Sequence, residues 1–484
     1  MSPEDGLSRP LRSESVPRIA VHQPSGPQVR GRRCEDGWVR RVVGALLAVA
    51  VALVLADSAV VTLALPDILR NLDATVGQVA WVLIAFNLVL GLGAVPTAVV
   101  FGRSQPRIVG TVGIAVFAAA SAWCAVAPSI EALIAARCVQ ALGGALALIG
   151  CLEILVAVHG ERRGVAAWVT AGVVGTAVGP FAGGLLTQAF SWQAIFVVQV
   201  PVAVLAVPAA LAVGSVPVPA PDRHRPAVRP LLTLALLSAA LTAALFLLVL
   251  LLVEGWRRSP GVAALAVSVV PLAALAARPL ARLLRPPAEV EVATGCFLIA
   301  GGLVGLAIPP SADLVWTIAP QALVGLGLGL TIDRLTSQAM ELRLPRIRHA
   351  GWTISARHLG VVVGLAILTP VFTADLQDAQ VPAQEAIASL VLDAPLLPED
   401  KIAVAQALGR ELVQQQGRVP DLSNAFVTAD LQPEERPAAA QLERDLDAQL
   451  ERAAARAFRD SFLIGAGLAL LALLTVVAPG RRTR

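Results

Sequence analysis

Charge is scarce in this chain. Asp, Glu, Lys and Arg make up 15% of the 484 residues, against 56% hydrophobic residues and a mean hydropathy of +0.73. Water-soluble domains carry about 25% charged residues, so the balance excludes that class and implies an integral membrane protein. Period-two alternation is also missing. The apolar runs extend over about 20 residues, which excludes barrel strands and leaves helices as the spanning structure. Cysteines number five (Cys34, Cys124, Cys138, Cys151 and Cys296), and four sit within apolar segments at spacings unsuited to a metal. They imply neither a metal site nor a disulfide framework and read as small core residues. There is no Gly-x-x-x-x-Gly-Lys-Ser/Thr run to cradle a nucleotide, which argues against ATP-driven transport by this chain. No constellation of nucleophile and base stands out, so an enzyme is not expected, nor any bound cofactor. The pI of 9.1 and net charge of +4 reflect arginines in short loops, a matter of membrane topology rather than nucleic-acid binding.

What is present is a succession of apolar segments. Residues 1–41 are rich in Ser, Pro and Arg and read as a disordered basic cytoplasmic tail; Arg30, Arg32, Arg33, Arg40 and Arg41 either hold that end inside or touch anionic lipid. Six apolar segments then fill 42–213. A Pro- and Arg-bearing cytoplasmic linker, 214–230, precedes six more within 231–478, and 479–484 is a basic cytoplasmic end. Six, linker, six is the outline of two halves related by a parallel repeat. With both ends inside a plasma membrane, Arg103 to Arg107, Arg162-Arg163, Arg223 to Arg229, Arg282 to Arg285, Arg334 to Arg348 and Arg481 to Arg484 all fall on the cytoplasmic side. The stretch 373–457 differs: with fifteen acidic and seven basic residues, it is expected outside. Its segments Pro398 to Gln416 and Glu434 to Phe458 have helical patterning, with Ile402, Ala405, Leu408 and Leu412 on one face. The second either prolongs the last span or helps build a cap over the outer mouth.

One segment, AGVVGTAVGPFAGGLL (Ala171 to Leu186), organises the chain. Gly175, Gly179 and Gly183 repeat every four residues and share a helix face that a neighbouring backbone can approach, with Pro180 and Gly184 beside them. The pattern suggests a gasket helix between two moving halves. Asp57 lies inside the first apolar segment and Arg137 inside the fourth, and an ionisable group at such depth marks function. Counted from their span ends at about 1.5 Å per residue, the two are level enough to pair. Gln140 and Ala141 share Arg137's face. Gln140, Phe86, Asn87, Arg357 and His358 are candidates for a substrate path, Glu153 for a headgroup contact, Asp333 and Arg334 for pairing or snorkelling, and Trp256 for an interfacial anchor.

The spacing Gly-x-x-x-Gly-Pro-x-x-Gly-Gly resembles the fifth-span antiporter motif of drug:proton antiporters in the major facilitator superfamily, with Ala166 at an earlier glycine of that motif. The stretch LADSAVVTLALPDI is similar to the family's first-span pattern at Asp57, Ala64, Leu65 and Pro66, with Ala59 and Thr62 at its threonine and asparagine. LIAARCVQALGGA resembles Arg-x-x-Gln-Gly-x-Gly through Arg137 and Gln140, and Gly351, Arg357, Gly360 and Gly364 match a last-third pattern. The latch loop after the second span departs from the family: VVFGRSQPR places Arg103 at its aspartate and Pro106 at a glycine. SWQAIFVVQVP places Gln193 and Gln199 at its arginine and asparagine.

The resemblance implies an all-α membrane protein of the major facilitator fold, with 12 spans in two six-helix halves. It implies export of small amphipathic or hydrophobic compounds in exchange for protons by alternating access, with Asp57 and Arg137 in proton coupling. The driving force is the proton motive force, the partners are substrate, protons and lipid, and a monomer is expected. Two alternatives stay open: a carrier of one dedicated metabolite or lipid, and a non-transporting sensor or assembly protein that binds through 373–457.

Overall fold

Helix boundaries fall where the sequence supplies turn chemistry. Thr75 starts the second span with a reciprocal capping box to Gln78, Ser129 caps the fourth by accepting from the Ala132 amide, and Ser259-Pro260 opens the eighth. Gly160, at φ +81°, takes the left-handed backbone that separates the fourth and fifth spans. The computed structural model describes residues 30–214, 225–340, 346–414, 426 and 435–477. Among them twelve helices are long and apolar enough to cross a membrane: Gly37–Thr62, Gly77–Val100, Pro106–Ala125, Ile130–His159, Glu161–Ala189, Gln193–Leu211, Val228–Gly255, Pro260–Leu284, Ala288–Ala307, Val315–Met340, Arg346–Asp375 and Arg436–Val477. No strand occurs among the described residues.

The helices assemble as two bundles of six. The first packs on the fifth and the third on the fourth and sixth; in the second bundle the seventh packs on the eleventh and the ninth on the tenth and twelfth. The bundles meet along two seams, the second span against the eleventh and the fifth against the eighth. Moving six spans along the chain exchanges these two seams, as a parallel repeat requires. Small residues set the packing distance in both halves. A Cβ on Gly175 would lie 2.2 Å from the Ala52 carbonyl oxygen, and one on Gly360 would lie 2.2 Å from that of Ala235. The fifth span is thus seated on the first as the eleventh is on the seventh.

Several expectations need correction. The tail is not irregular up to Arg41: the first helix begins at Arg30, and only residues 1–29 fall outside the described chain. Trp256 is 1% exposed and belongs to the core, so it is no interfacial anchor. Two π-helical turns, Ala243–Leu247 and Leu251–Gly255, interrupt the regular period of the seventh span just before it and change its azimuth.

The eleventh and twelfth helices outrun any bilayer. Arg346–Asp393 has 48 residues and Arg436–Val477 has 42. At about 1.5 Å per residue these lengths are about twice the roughly 30 Å hydrocarbon core. Their overhanging ends enclose the helix Pro398–Gln414 in a separate apolar cluster that includes Ile387, Val391, Val404, Leu408, Leu442 and Leu446. The twelfth helix therefore both prolongs the last span and helps form a hood. The buried stripe of Pro398–Gln414 is not the expected one: Leu408 is buried, but Ile402 is 58% exposed and Ala405 is exposed. Two apolar stripes overlap in that segment, and the hood uses the one through Val404 and Ala407; the side chain of Leu412 lies outside the described residues.

Candidate functional site

Asp57 and Arg137 form an ion pair with both side chains fully buried. The sequence places them on adjacent helices of the first bundle, and three neutral groups complete their shell. Arg137 Nη1 also donates to Gln140 Oε1 at 2.6 Å, one helical turn along the same face. Gln199 Nε2, from the sixth span, donates to Asp57 Oδ1 at 2.8 Å, and Gln140 Nε2 donates to Gln199 Oε1 and to Ser121 Oγ, each at 2.8 Å. The Arg137 guanidinium lies 4.1 Å from the Phe86 ring centroid and 5.8 Å from that of Phe196. Its Nε reaches the Val82 carbonyl at 3.4 Å, while Nη2 is buried without a partner among the described residues. Such a pair is costly to break one-sidedly, because the survivor is left as an uncompensated buried charge.

Of the expected site residues, the structure thus unites Asp57, Arg137, Gln140 and Phe86. Gln199 and Ser121 are additions. Gln199 was visible as the polar residue in SWQAIFVVQVP, whereas Ser121 carries no signal beyond being a hydroxyl in an apolar run.

A second polar contact crosses the seam between the bundles. His358 Nδ1 is 2.7 Å from Asn87 Oδ1, and Ser58 Oγ donates to the same oxygen at 3.3 Å. Asn87 Nδ2 donates to the Leu83 carbonyl at 2.8 Å, which orients the amide with its oxygen toward the imidazole. Ser355 Oγ adds a 2.5 Å bond to the Gly91 carbonyl on the same seam. Asn87 is fully buried in these bonds and, like Phe86 and Gln140, lines neither cavity between the bundles. In this conformation these three expected path residues are set back from that space. Arg357 does line the space, which has two adjoining lobes sharing Val173, Ile332 and Arg357; the larger, walled by the fifth, seventh, eighth, tenth and eleventh spans, measures about 570 Å³ including its opening, and His358 lines the smaller. Asp333 is paired there with Arg278 across neighbouring spans, and Arg334 with Glu291 at 2.5 Å.

The fifth-span motif divides its duties. Gly175 and Gly183 abut carbonyl oxygens of Ala52 and Val60, on either side of Asp57 in the first span, so the stripe docks inside one bundle. Gly184 alone of the motif abuts the other bundle, at Ala264, while Pro180 lines the cavity. The gasket expectation holds for one edge of this helix only, since its glycine face is occupied by the first span.

Ion pairs bridge the bundles at both ends of the cavity. Arg70, on the short helix Leu65–Asn71, donates to Glu254 at 3.2 Å. At the other end Arg346, which opens the eleventh span, meets Glu161 at 2.5 Å and stands 3.8 Å from Glu153. Glu153 is 2% exposed, so it faces this arginine and not lipid headgroups.

Comparison with known proteins agrees with this architecture. The family model of the Major Facilitator Superfamily matches residues 47–368, and the chain belongs to that family of transporters. The puromycin resistance protein pur8 of Streptomyces alboniger is 32% identical over 370 residues, covering 71% of each chain. The tetracenomycin C resistance and export protein of Streptomyces glaucescens is 35% identical over 170 residues, 34% of this chain; the match spans about a third of that protein's length, 32%. A crystal structure of a bacterial homologue of the human lysosomal transporter Spinster, inward-facing and occupied, shares the fold with a TM-score of 0.62 at 15% identity, over 90% of this chain and 96% of that one.

Proposed function

We propose that the protein exports small amphipathic or hydrophobic compounds across the plasma membrane in exchange for protons, with both termini cytoplasmic. The observation that carries this reading is the sealed Asp57–Arg137 pair on the first span, on which the fifth span is seated through Gly175 and Gly183 while its Val173, Ala177 and Pro180 line the inter-bundle cavity. Protonation of Asp57 removes the charge that holds Arg137, and the guanidinium then depends on Gln140, the Val82 carbonyl and two ring faces. The first span is thereby freed to shift, and the fifth span, packed against its backbone, carries that shift to Val173, Ala177 and Pro180 in the cavity. Deprotonation on the other side of the membrane restores the pair. Export of antibiotics by relatives such as the tetracenomycin C protein supports the direction of transport. Arginine-bearing short connections support the orientation.

The test is extrusion of a lipophilic dye from pump-deficient bacteria expressing the wild type or Asp57→Asn, with and without a protonophore. Energised extrusion by the wild type, lost with protonophore and lost in the variant at equal membrane abundance, is the expected result. Wild-type cells indistinguishable from empty cells would sink broad export and favour a dedicated carrier or a non-transporting protein acting through the hood.

A further inference from the structure

The charges inside the cavity do not balance. Arg278 and Asp333 neutralise one another as an ion pair, and Glu291 is occupied by Arg334. Arg357 lines both lobes of the cavity, is half-buried, and has no hydrogen-bond or ion-pair partner within reach among the described residues. Arg278, Arg357 and Asp333 thus leave one net positive charge, with Asp333 acting on Arg357 from beyond ion-pair distance, in a space whose other walls are mostly apolar, among them Val173, Leu245, Val270 and Leu328. A half-buried guanidinium whose nearest carboxylate is already engaged by another arginine is stabilised when something anionic arrives.

The next residue supplies a second unfilled group. His358 is 7% exposed and lines the smaller lobe, next to Arg357, and its Nε2 is buried without a partner among the described residues. Because Asn87 presents its oxygen to Nδ1, that nitrogen carries the hydrogen, and Nε2 of the neutral ring is a free lone pair. A cation and an accepting nitrogen one residue apart, in a mostly apolar cavity, match an apolar molecule that carries one acidic group for the cation and a separate hydrogen-bond donor for the nitrogen.

We infer that the cavity takes amphipathic anions, carboxylates above all, with Arg357 as the charge partner and His358 Nε2 as an acceptor for a hydroxyl or N–H carried elsewhere on the molecule. The inference rests on the export reading only in treating this cavity as the substrate site. It distinguishes this chain from a pump built for lipophilic cations, since among the described residues the acidic group lining the cavity is Asp333, which is already engaged.

Binding to the purified full-length protein in detergent tests it, using 9-anthracenecarboxylate and the uncharged 9-anthracenecarboxamide, followed by fluorescence and equilibrium dialysis. The wild type is expected to prefer the carboxylate by on the order of tenfold, the scale of one charge-assisted contact. Arg357→Gln should abolish the preference while amide binding persists, which doubles as the control for folding, and Arg357→Lys should restore part of it. Arg278→Gln gives a second readout: it frees Asp333 to neutralise Arg357 and should lower the preference with Arg357 still in place. Equal binding of the two probes by the wild type, no saturable carboxylate binding, or an unchanged preference in either glutamine variant would overturn the proposal. Binding requires neither protons nor turnover. A protein that prefers the carboxylate but extrudes nothing would defeat the export reading alone, and one that extrudes dye without this preference would defeat the anion site alone.

Discussion

His358 of the eleventh span meets Asn87 of the second across the seam between the bundles, and Asn87 also accepts from Ser58, the neighbour of Asp57 in sequence. The buried ion pair and the mobile seam are therefore joined through two side chains. Nothing else among the described polar contacts runs so directly from the first span to the opposite half. In the proposed cycle, a displacement of the first span that follows protonation of Asp57 would act on this contact.

Asn87→Ala leaves His358 Nδ1 and the Ser58 hydroxyl without their shared acceptor. Stranding a buried polar group costs about 1–3 kcal/mol. Dye extrusion is expected to fall severalfold while the protein stays folded, and Asn87→Asp, which preserves an acceptor, should recover part of it. Extrusion at the wild-type level in the alanine variant would remove the relay from the mechanism.

For the Asp57–Arg137 pair the expectation is non-additive. Arg137→Met alone strands a fully buried carboxylate and should destabilise by about 3–5 kcal/mol. Adding Asp57→Leu removes the stranded charge, so the double variant should melt at a higher temperature than Arg137→Met in detergent. Equal melting of the two would mean that the surrounding Gln199 and Gln140 already hold the carboxylate unaided.

Much of this was legible from the residues. Period and length gave the spans, because a helix in lipid must satisfy its own backbone and advertises itself as an unbroken apolar run. Asp57 and Arg137 were legible as charges at equal depth. The role of Asn87 was not, since its partner His358 lies 271 residues away on the opposite bundle. Trp256 misled because π turns change azimuth without leaving a mark in composition. The ion pair of Arg346 with Glu161, close to Glu153, was not legible either, since Arg346 lies nearly two hundred residues from both and the loop with Arg103 departs from the family pattern.

Glycine substitutions should separate close packing from helix propensity. Gly175→Ala sets a methyl 2.2 Å from the Ala52 carbonyl oxygen, and overpacking of this kind costs about 1–3 kcal/mol. Gly179→Ala meets its nearest atom at 3.1 Å and should cost clearly less. Gly409→Ala, in the hood helix with nothing within 4 Å, should stabilise by up to about 1 kcal/mol. Thermal melts of the three variants check this order, and a Gly175→Ala protein as stable as wild type would contradict the seating of the fifth span on the first.

The last prediction concerns the end of the cavity closed by Arg346. This arginine is 14% exposed and Glu153 3%, whereas Glu161 is 67% exposed, so one partner is sealed and the other meets solvent. Arg346→Ala deprives buried Glu153 of its counter-charge and frees the start of the eleventh span from the first bundle. A cysteine introduced as Thr353→Cys, on the cavity lining, in a background without the native cysteines, should then react severalfold faster with a water-soluble maleimide. Glu161→Gln should produce a smaller increase, because exposed pairs contribute about 0–1 kcal/mol. Raising the salt concentration should likewise speed labelling of the otherwise wild-type protein, since the Glu161 side of the pair is screened. Arg103→Ala serves as the contrast: Arg103 is exposed and without an ion-pair partner among the described residues, so labelling should not change. If Arg103→Ala opens the cavity and Arg346→Ala does not, closure at this end depends on the loop after the second span and not on the ion pair.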